Sequence, residues 1–367
     1  MQSLYEQVYQ ALKQEILDGK YKIGDRVPSE KELSNNFKVS RITSKKALKK
    51  LEEDGIVYRR QGKGTFVAED RKEINKLNNK KLLIGLVVTG LDDSHISKLI
   101  SSIETASNEK CLVILKQSFG SAEREEHIID ELLELPVDGL IIYPAQAEHY
   151  SPKILKLTVE KYPLVLIDRA FKRIAATTIS TDNVEAAKTG IDYLFSLGHQ
   201  EIGVISPNTI QTTTIEDRFN GIVKAYSERE VAVNPNLWCT DIKSTLPSKS
   251  GTPEQDIEVI KEFLKKNSHI TALFTLEYHI AILAKRAVEK LGLYVPKDIS
   301  ILCFDELESD FNGWAFTHLR QKEELIGQTA IKRLMNMING ECTVQKDYFS
   351  AELIVANSTN QYKKNQD

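Results

Sequence analysis

The 367-residue chain is 41% hydrophobic and 28% charged, a globular composition too long for one ordinary core and suited to two or three compact units. It has no apolar run of the roughly 18 residues that a membrane helix needs, and its charged first twenty residues lack the apolar block and cleavage site of an export signal, so a cytoplasmic protein with no membrane partner is expected. The net charge of −3 hides an asymmetry: residues 1–68 hold 14 Lys+Arg against 9 Asp+Glu and the remainder 35 against 43, which predicts a polyanionic partner at one end only.

The head opens with Leu4, Val8, Ala11, Leu12 and Ile16 at helical spacing, closed by Asp18-Gly19. Ser29, followed three residues on by Glu32, is a capping box for a second helix running to about Phe37. A third helix opens at Val39-Ser40. It puts Ala47, Leu48 and Leu51 on one face and Lys45, Lys46, Lys49 and Lys50 largely elsewhere, and it ends at Gly55. Residues 56–60 and 65–68 flank Gln61-Gly62-Lys63-Gly64 as a hairpin. Three helices and a hairpin within 1–70 spell a winged helix-turn-helix. The polar stretch EDRKEINKLNNK lacks an apolar stripe, and residues 71–81 are assigned to a linker.

From Leu82 the period changes. Apolar runs of strand length (LLIGLVVT, CLVILKQ, GLIIY, LVLID, TTISTD) alternate with amphipathic stretches beginning at Ser94 and Ala122. A second series follows: a helix over 183–197, EIGVIS, helices near 217–230 and 253–266, TALFT, a helix from about His279 to Gly292, and ISILCFD. Strands apolar on both faces, alternating with helices, argue for parallel sheets covered on each side. Two such series predict an α/β body over 82–360, built as two doubly wound lobes with a cleft between them.

In a helix-turn-helix the first turn and a half of the recognition helix meets base edges in the major groove. Here that stretch is Ser40-Arg41-Ile42-Thr43-Ser44-Lys45. Arg41 can fork two donors onto a guanine, Thr43 suits a base methyl or a phosphate, and Lys45 lies one turn beyond Arg41. Gln61 and Lys63 sit among glycines that let the wing approach phosphates. Lys49 and Lys50, late in the helix, read as a solvated face. The segments P-S-E-K-E-L, V-S-R-I-T-S-K-K-A-L-K-K-L-E-E-D-G-I-V and R-R-Q-G-K-G-T-F-V closely resemble the DNA-binding domain of the GntR family of bacterial repressors, over nearly all of residues 2–68. The resemblance implies base contacts from Arg41 and Lys45, wing contacts from Gln61 and Gly62, Glu30 and Lys31 near DNA, and Ser29 and Thr43 on phosphate. Many members have arginine where Lys45 stands; lysine keeps the charge and loses the bidentate fork.

The body resembles the effector domain of the LacI family, which has the fold of periplasmic sugar-binding proteins, over roughly residues 82–355. The residues that carry this are V-D-G-L-I-I-Y, L-V-L-I-D-R, T-D-N-x-x-A-A, L-G-H-Q-E-I-G-V-I, D-R-F-N-G, V-P-K-D-I-S-I-L-C-F-D-E and L-R-Q-K-E-E-L-I-G. A GntR-type head on such a body looks like the arabinose-repressor group. Hydroxyl-rich ligands need charged bidentate partners and an aromatic face, gathered at the C-terminal ends of parallel strands. Asp168-Arg169 and Asp305-Glu306 end two strands here, and Arg218 opens the D-R-F-N-G helix. The resemblance implies effector contacts at Arg218, Asp305 and Gln321, with Arg169 where several sugar-binding members use an arginine. Where the family usually has Asn-Asp after TALFT, this chain has Glu277-Tyr278, and Glu277 still accepts from hydroxyls. Trp314 reads equally as a stacking platform and as core filler. Asp182 and Asn183 read as a helix cap, and His199 as a structural turn histidine.

Catalysis finds little support. The seven histidines have no H-E-x-x-H spacing, the four cysteines form no C-x-x-C pair, and G-x-S-x-G and Walker sequences are missing, so no metal, cofactor or catalytic residue is expected. The reading is a dimeric transcription regulator that binds double-stranded operator DNA and responds to a small carbohydrate, arabinose or another sugar; an activator or a phosphorylated-sugar sensor of the same architecture is the alternative. A transport protein sharing the body fold is disfavoured by the basic head, and a fused aminotransferase by the length of the body.

Overall fold

The computed structural model describes residues 4–60, 63–68, 81–91, 94–145, 151–169, 171, 174–208, 212–245, 250–306, 313–341 and 343–362. Gln61, Gly62 and residues 69–80, most of the expected linker, lie outside them. The chain divides into two compact units, Met1–Lys81 and Leu82–Asp367.

In the first unit α1 (Leu4–Leu17), α2 (Glu30–Phe37) and α3 (Arg41–Glu53) pack around Val8, Leu12, Leu33, Leu48 and Leu51. The antiparallel strands β1 (Val57–Arg60) and β2 (Gly64–Val67) close one side through Val57 and Val67. The capping box forms: the Ser29 hydroxyl accepts from Glu32 N at 3.3 Å, and Glu32 accepts from Ser29 N at 2.7 Å, a cap worth about 1 kcal/mol. Gly64 needs to be glycine. Its φ is +120°, and a Cβ there would lie 2.8 Å from Arg26 Nε.

The second unit has two six-stranded sheets. The first takes β3 (Leu82–Val88), β4 (Cys111–Gln117), β5 (Gly139–Ile142), β6 (Leu164–Ile167), β7 (Thr177–Thr181) and β13 (Lys346–Phe349) in the order β13-β7-β6-β5-β3-β4, with every pairing parallel. The second takes β8 (Ile202–Pro207), β9 (Trp238–Ile242), β10 (Ala272–Thr275), β11 (Ser300–Phe304), β12 (Thr317–Arg320) and β14 (Glu352–Ile354) in the equivalent order β14-β12-β11-β10-β8-β9, with only β14 antiparallel. Around the first sheet lie α4 (Ser94–Ser107), α5 (Ala122–Glu134), α6 (Pro152–Val159) and α11 (Glu323–Ile338); with the second lie α7 (Asn183–Ser196), α8 (Thr213–Ser227), α9 (Pro253–Lys266) and α10 (Tyr278–Lys290).

The chain crosses between lobes three times, after β7, after β12 and between β13 and β14. At these crossings Thr181 donates to the Gln321 side chain, and Asp182 N donates to Phe349 O. Gly327 lets α11 approach α4 closely, since a Cβ there would meet Ser102 at 2.3 Å.

Two expectations are adjusted. The D-R-F-N-G helix begins at Thr213, so Arg218 lies inside it and does not open it; the threonine run ahead of Ile215 hid its start. The periodicity also passed over α6, β9, α11, β13 and β14. α6 is only eight residues long, and the burial of β13 and β14 is partial, so their apolar signal is weak.

Candidate functional site

The head presents one candidate surface. Ser40 caps α3, its hydroxyl accepting from Thr43 N at 3.1 Å and lying 2.8 Å from the Thr43 hydroxyl. This sets Arg41 as the first helical residue, with Arg41, Ile42 and Lys45 exposed. On the opposite side Ser44, Ala47, Leu48 and Leu51 are buried, so the exposed stripe is what remains after the core has taken its face. Lys46 stacks over Tyr5 at 4.2 Å and Lys50 over Tyr9 at 5.3 Å, while Lys49 pairs with Glu53 at 3.3 Å. The late lysines therefore have partners within the head. Glu30 accepts from Arg59 at 3.1 Å, tying the start of α2 to β1, and Ser29 is engaged in the capping box. Lys31 and Lys63 are exposed.

The body presents a cavity of about 320 Å³ between its lobes, near the lower end of the roughly 300–1,000 Å³ range of ligand sites. Five of the expected effector residues line it: Arg169, Arg218, Glu277, Asp305 and Gln321. Arg218 is held on three sides. Its Nε donates to Asn183 at 2.8 Å, its NH1 donates to Leu276 O, and its guanidinium lies 3.6 Å from the centroid of Phe304. Gln321 donates to both Asp305 oxygens, at 2.9 and 3.2 Å. Arg169 NH1 donates to Pro144 O and Ala145 O, at 2.9 and 2.7 Å, while its buried Nε finds no acceptor among the described residues. The buried Thr245 hydroxyl on the opposite wall has none there either.

Beside these lies a buried ionic group. His95, at the start of α4, faces Asp168 at 3.3 Å and Glu323 at 3.0 Å. Burial by itself would lower the imidazole pKa, but Asp168 and Glu323 outweigh it and hold the ring well above its ordinary value. Burial pushes Asp168 upward and His95 more than reverses this, bringing it down to about 2. His95, Asp305 and Glu323 bring ligand atoms within 4.8 Å of one another. The imidazole, held above its ordinary pKa, supplies positive charge opposite these carboxylates.

Residues 4–67 match the model of the bacterial regulatory proteins of the gntR family, and residues 191–359 match that of the periplasmic binding protein-like domain. The arabinose metabolism transcriptional repressor of Geobacillus stearothermophilus is 30% identical over 96% of this chain and 97% of its own length. This chain belongs to the GntR family of bacterial transcription regulators. It carries a periplasmic-binding-protein-like body and is a transcriptional repressor, not an enzyme. The ascG transcriptional repressor of Escherichia coli (24% identity, 76% of this chain and 100% of that one, TM-score 0.63) and a dimeric Lac repressor with a C-terminal deletion (21% identity, 77% and 100%, TM-score 0.65) share the fold.

In this repressor Trp314 is placed away from the cavity. It packs edge-on against Phe316, with centroids 4.9 Å apart, in the core of the second lobe under Lys285. It is partly buried against that core, and it is not among the residues that line the cavity. The aromatic rings lining the cavity are Tyr143 and Tyr278. Asp182 caps α7 as expected, accepting from Glu185 N at 3.0 Å, whereas Asn183 also orients Arg218. His199 is structural, bonded to Thr271 and to Asn360 O. Sequence reading passed over His95, Tyr143 and Thr245. Of these, Tyr143 directly follows β5 at the end of the GLIIY run, and His95 is a lone histidine in the segment after β3, so both left a signal.

Proposed function

We propose that this repressor controls genes of carbohydrate utilisation and that a small neutral sugar, binding between the lobes, releases it from its operator. The observation that carries this reading is the cavity itself. Fixed donors (Arg218, Arg169) and acceptors (Asp305, Glu277, Gln321) line one space of suitable size. Asp168, Glu277 and Asp305 offset Arg169, Arg218 and Arg286 on the cavity wall, and a lining of balanced charge suits a neutral sugar better than its phosphate ester. Arabinose is one candidate, suggested by the relative's name.

On the DNA side, Arg41 and Lys45 read bases from α3, Thr43 and Ser29 meet phosphates, Glu30 and Lys31 lie at the flank, and Gln61, Gly62 and Lys63 belong to the wing. The protein acts in the cytoplasm as a homodimer. The edge strand β4 exposes Leu112 (53%) and Leu115 (37%), an apolar edge suited to a second copy, and two heads gain effective concentration on a pseudo-palindrome. Ligand that binds the non-operator arrangement better shifts the population away from DNA.

The test is fluorescence anisotropy of the full-length protein on a duplex selected from a random library, titrated with pentoses, hexoses and their phosphates. A neutral sugar is expected to weaken DNA binding at least tenfold. Stronger binding with sugar would make the sugar a co-repressor, and a response to phosphates alone would replace this reading with a phosphosugar sensor.

A further inference from the structure

The effector cavity has two chemically different ends. At the inner end, by the chain crossings, charged and amide groups suit the hydroxyls of a single ring. The outer end is walled by Pro253 at the start of α9 and by Tyr278, Ile282, Leu283 and Arg286 of α10. Tyr278, Ile282 and Arg286 fall at i, i+4 and i+8, one face of the helix. Long helical side chains lean toward the N-terminus, which returns the Arg286 guanidinium toward the Ile282 turn and toward Glu254 of α9, 4.0 Å away. The wall still runs a full turn, about 5 Å, past Tyr278.

Tyr278 and Ile282 are only half-buried, and so offer apolar surface to the cavity. Arg286 is half-exposed, and its ion pair with Glu254 is at the limit of contact, where such pairs are weak. At about 30 Å³ per water, a cavity of 320 Å³ has room for some ten waters. A pentose has about as many non-hydrogen atoms, and covalently bonded atoms pack more closely than waters do, so one ring leaves part of the cavity unfilled.

We infer that the effector is a two-ring glycoside. Its inner ring meets Arg218, Asp305 and Gln321. Its outer ring lays a C–H face on Tyr278 and Ile282 and offers neighbouring hydroxyls to Arg286. This deepens the sugar-effector reading above and rests on it.

Calorimetry on the full-length protein tests it, with D-xylose, L-arabinose, D-galactose and D-glucose set against xylobiose, arabinobiose, galactobiose and cellobiose. One disaccharide is expected to bind at least tenfold more tightly than its own monosaccharide. Ile282→Trp, which fills the outer end, and Arg286→Ala, an exposed position that tolerates truncation, should each bring the disaccharide to the monosaccharide's affinity while leaving the monosaccharide within about twofold. A monosaccharide that binds as tightly as its disaccharide overturns the two-ring effector and leaves the sugar reading standing, as does an equal loss for both ligands in Arg286→Ala. If no sugar binds while DNA binding is intact, both readings fall.

A second, independent observation lies on α3. Ile42 is 80% exposed, more than any other large apolar side chain among the described residues. It stands between Arg41 and Thr43 on the first turn of the recognition helix, and the thymine methyl is the apolar feature of the base edges in the major groove. We propose that Ile42 reads a thymine methyl. On the selected duplex, replacing thymines one at a time by deoxyuridine should reveal one position where the wild-type protein loses threefold or more and Ile42→Ala loses less than 1.5-fold. No sensitive thymine, or equal losses in both proteins, overturns it.

Discussion

Asp168 and Asp305 are counterparts: each follows the fourth strand of its sheet, counted from β4 or β9, and each takes a left-handed backbone, with φ of +63° and +64°. Aspartate tolerates this conformation better than most residues. The turn it makes sends both carboxylates into the space between the lobes. From these equivalent positions their partners differ, since Asp168 is paired with His95 and Asp305 accepts from Gln321. Asp168 thus takes the imidazole as its direct partner, while Asp305, held by the Gln321 amide, sets its carboxylate at the cavity wall.

Asp305→Asn and Arg218→Ala should weaken the sugar response and leave DNA binding without ligand intact. Asparagine is the choice at 305 because it also tolerates the positive φ. A charged hydrogen bond to a buried hydroxyl is worth about 1.5–3 kcal/mol, so half-response should move roughly ten- to a hundredfold. Anisotropy titrations with the active sugar measure it; unchanged half-response in both variants would place the effector elsewhere.

Arg41→Ala should weaken operator binding by about 1–3 kcal/mol and relax discrimination at one base pair. Lys49→Ala should change binding little, because Lys49 lies late in the helix and pairs with Glu53. A loss of equal size on operator and random duplexes would make Arg41 a phosphate contact.

His95→Ala strands the Asp168 and Glu323 carboxylates in a buried site without their cation, a change that typically costs about 3–5 kcal/mol. Urea unfolding at neutral pH should show this as a lowered midpoint. The window follows from the directions of the shifts. His95 is raised, so its contribution is complete below its ordinary value of 6.5 and is lost as pH climbs through the raised one. Asp168 is depressed to about 2, so its contribution is present above 3.8 and is lost as pH falls toward 2. A midpoint unchanged by the substitution would show that the group contributes nothing to stability.

Glu125 on α5 is buried and accepts from Ala145 N at 2.6 Å. Burial raises its carboxyl to about 7, against the pull of the Ala145 amide and of Arg169. The folded protein therefore holds a proton there that the unfolded chain has released. Stability from this group is full below about 4.5 and is lost as pH rises through 7, by about 3 kcal/mol at 1.36 kcal/mol per unit. Glu125→Gln should flatten the stability profile between pH 4.5 and 7. A profile as steep as the wild type's would assign the slope to another group.

Much of this protein could be read before any coordinates. The Ser29–Glu32 capping box, the Ala47/Leu48/Leu51 stripe and the doubly apolar strands are local patterns. Local hydrogen bonding and one-sided burial are enough to fold such patterns, so the winged head, the two lobes and five cavity-lining positions were legible from spacing and resemblance. What was not legible depends on residues far apart in the chain. His95 gains its meaning only when α4 brings it to Asp168 and, 228 positions away, to Glu323. Tyr143, not Trp314, faces the cavity because the two lobes and the crossing strands decide which side of each sheet looks inward. Sequence determined the elements and their chemistry. Tertiary packing decided which charges pair within the body and which line the cavity, because burial and pairing are set by neighbours that the chain order does not reveal.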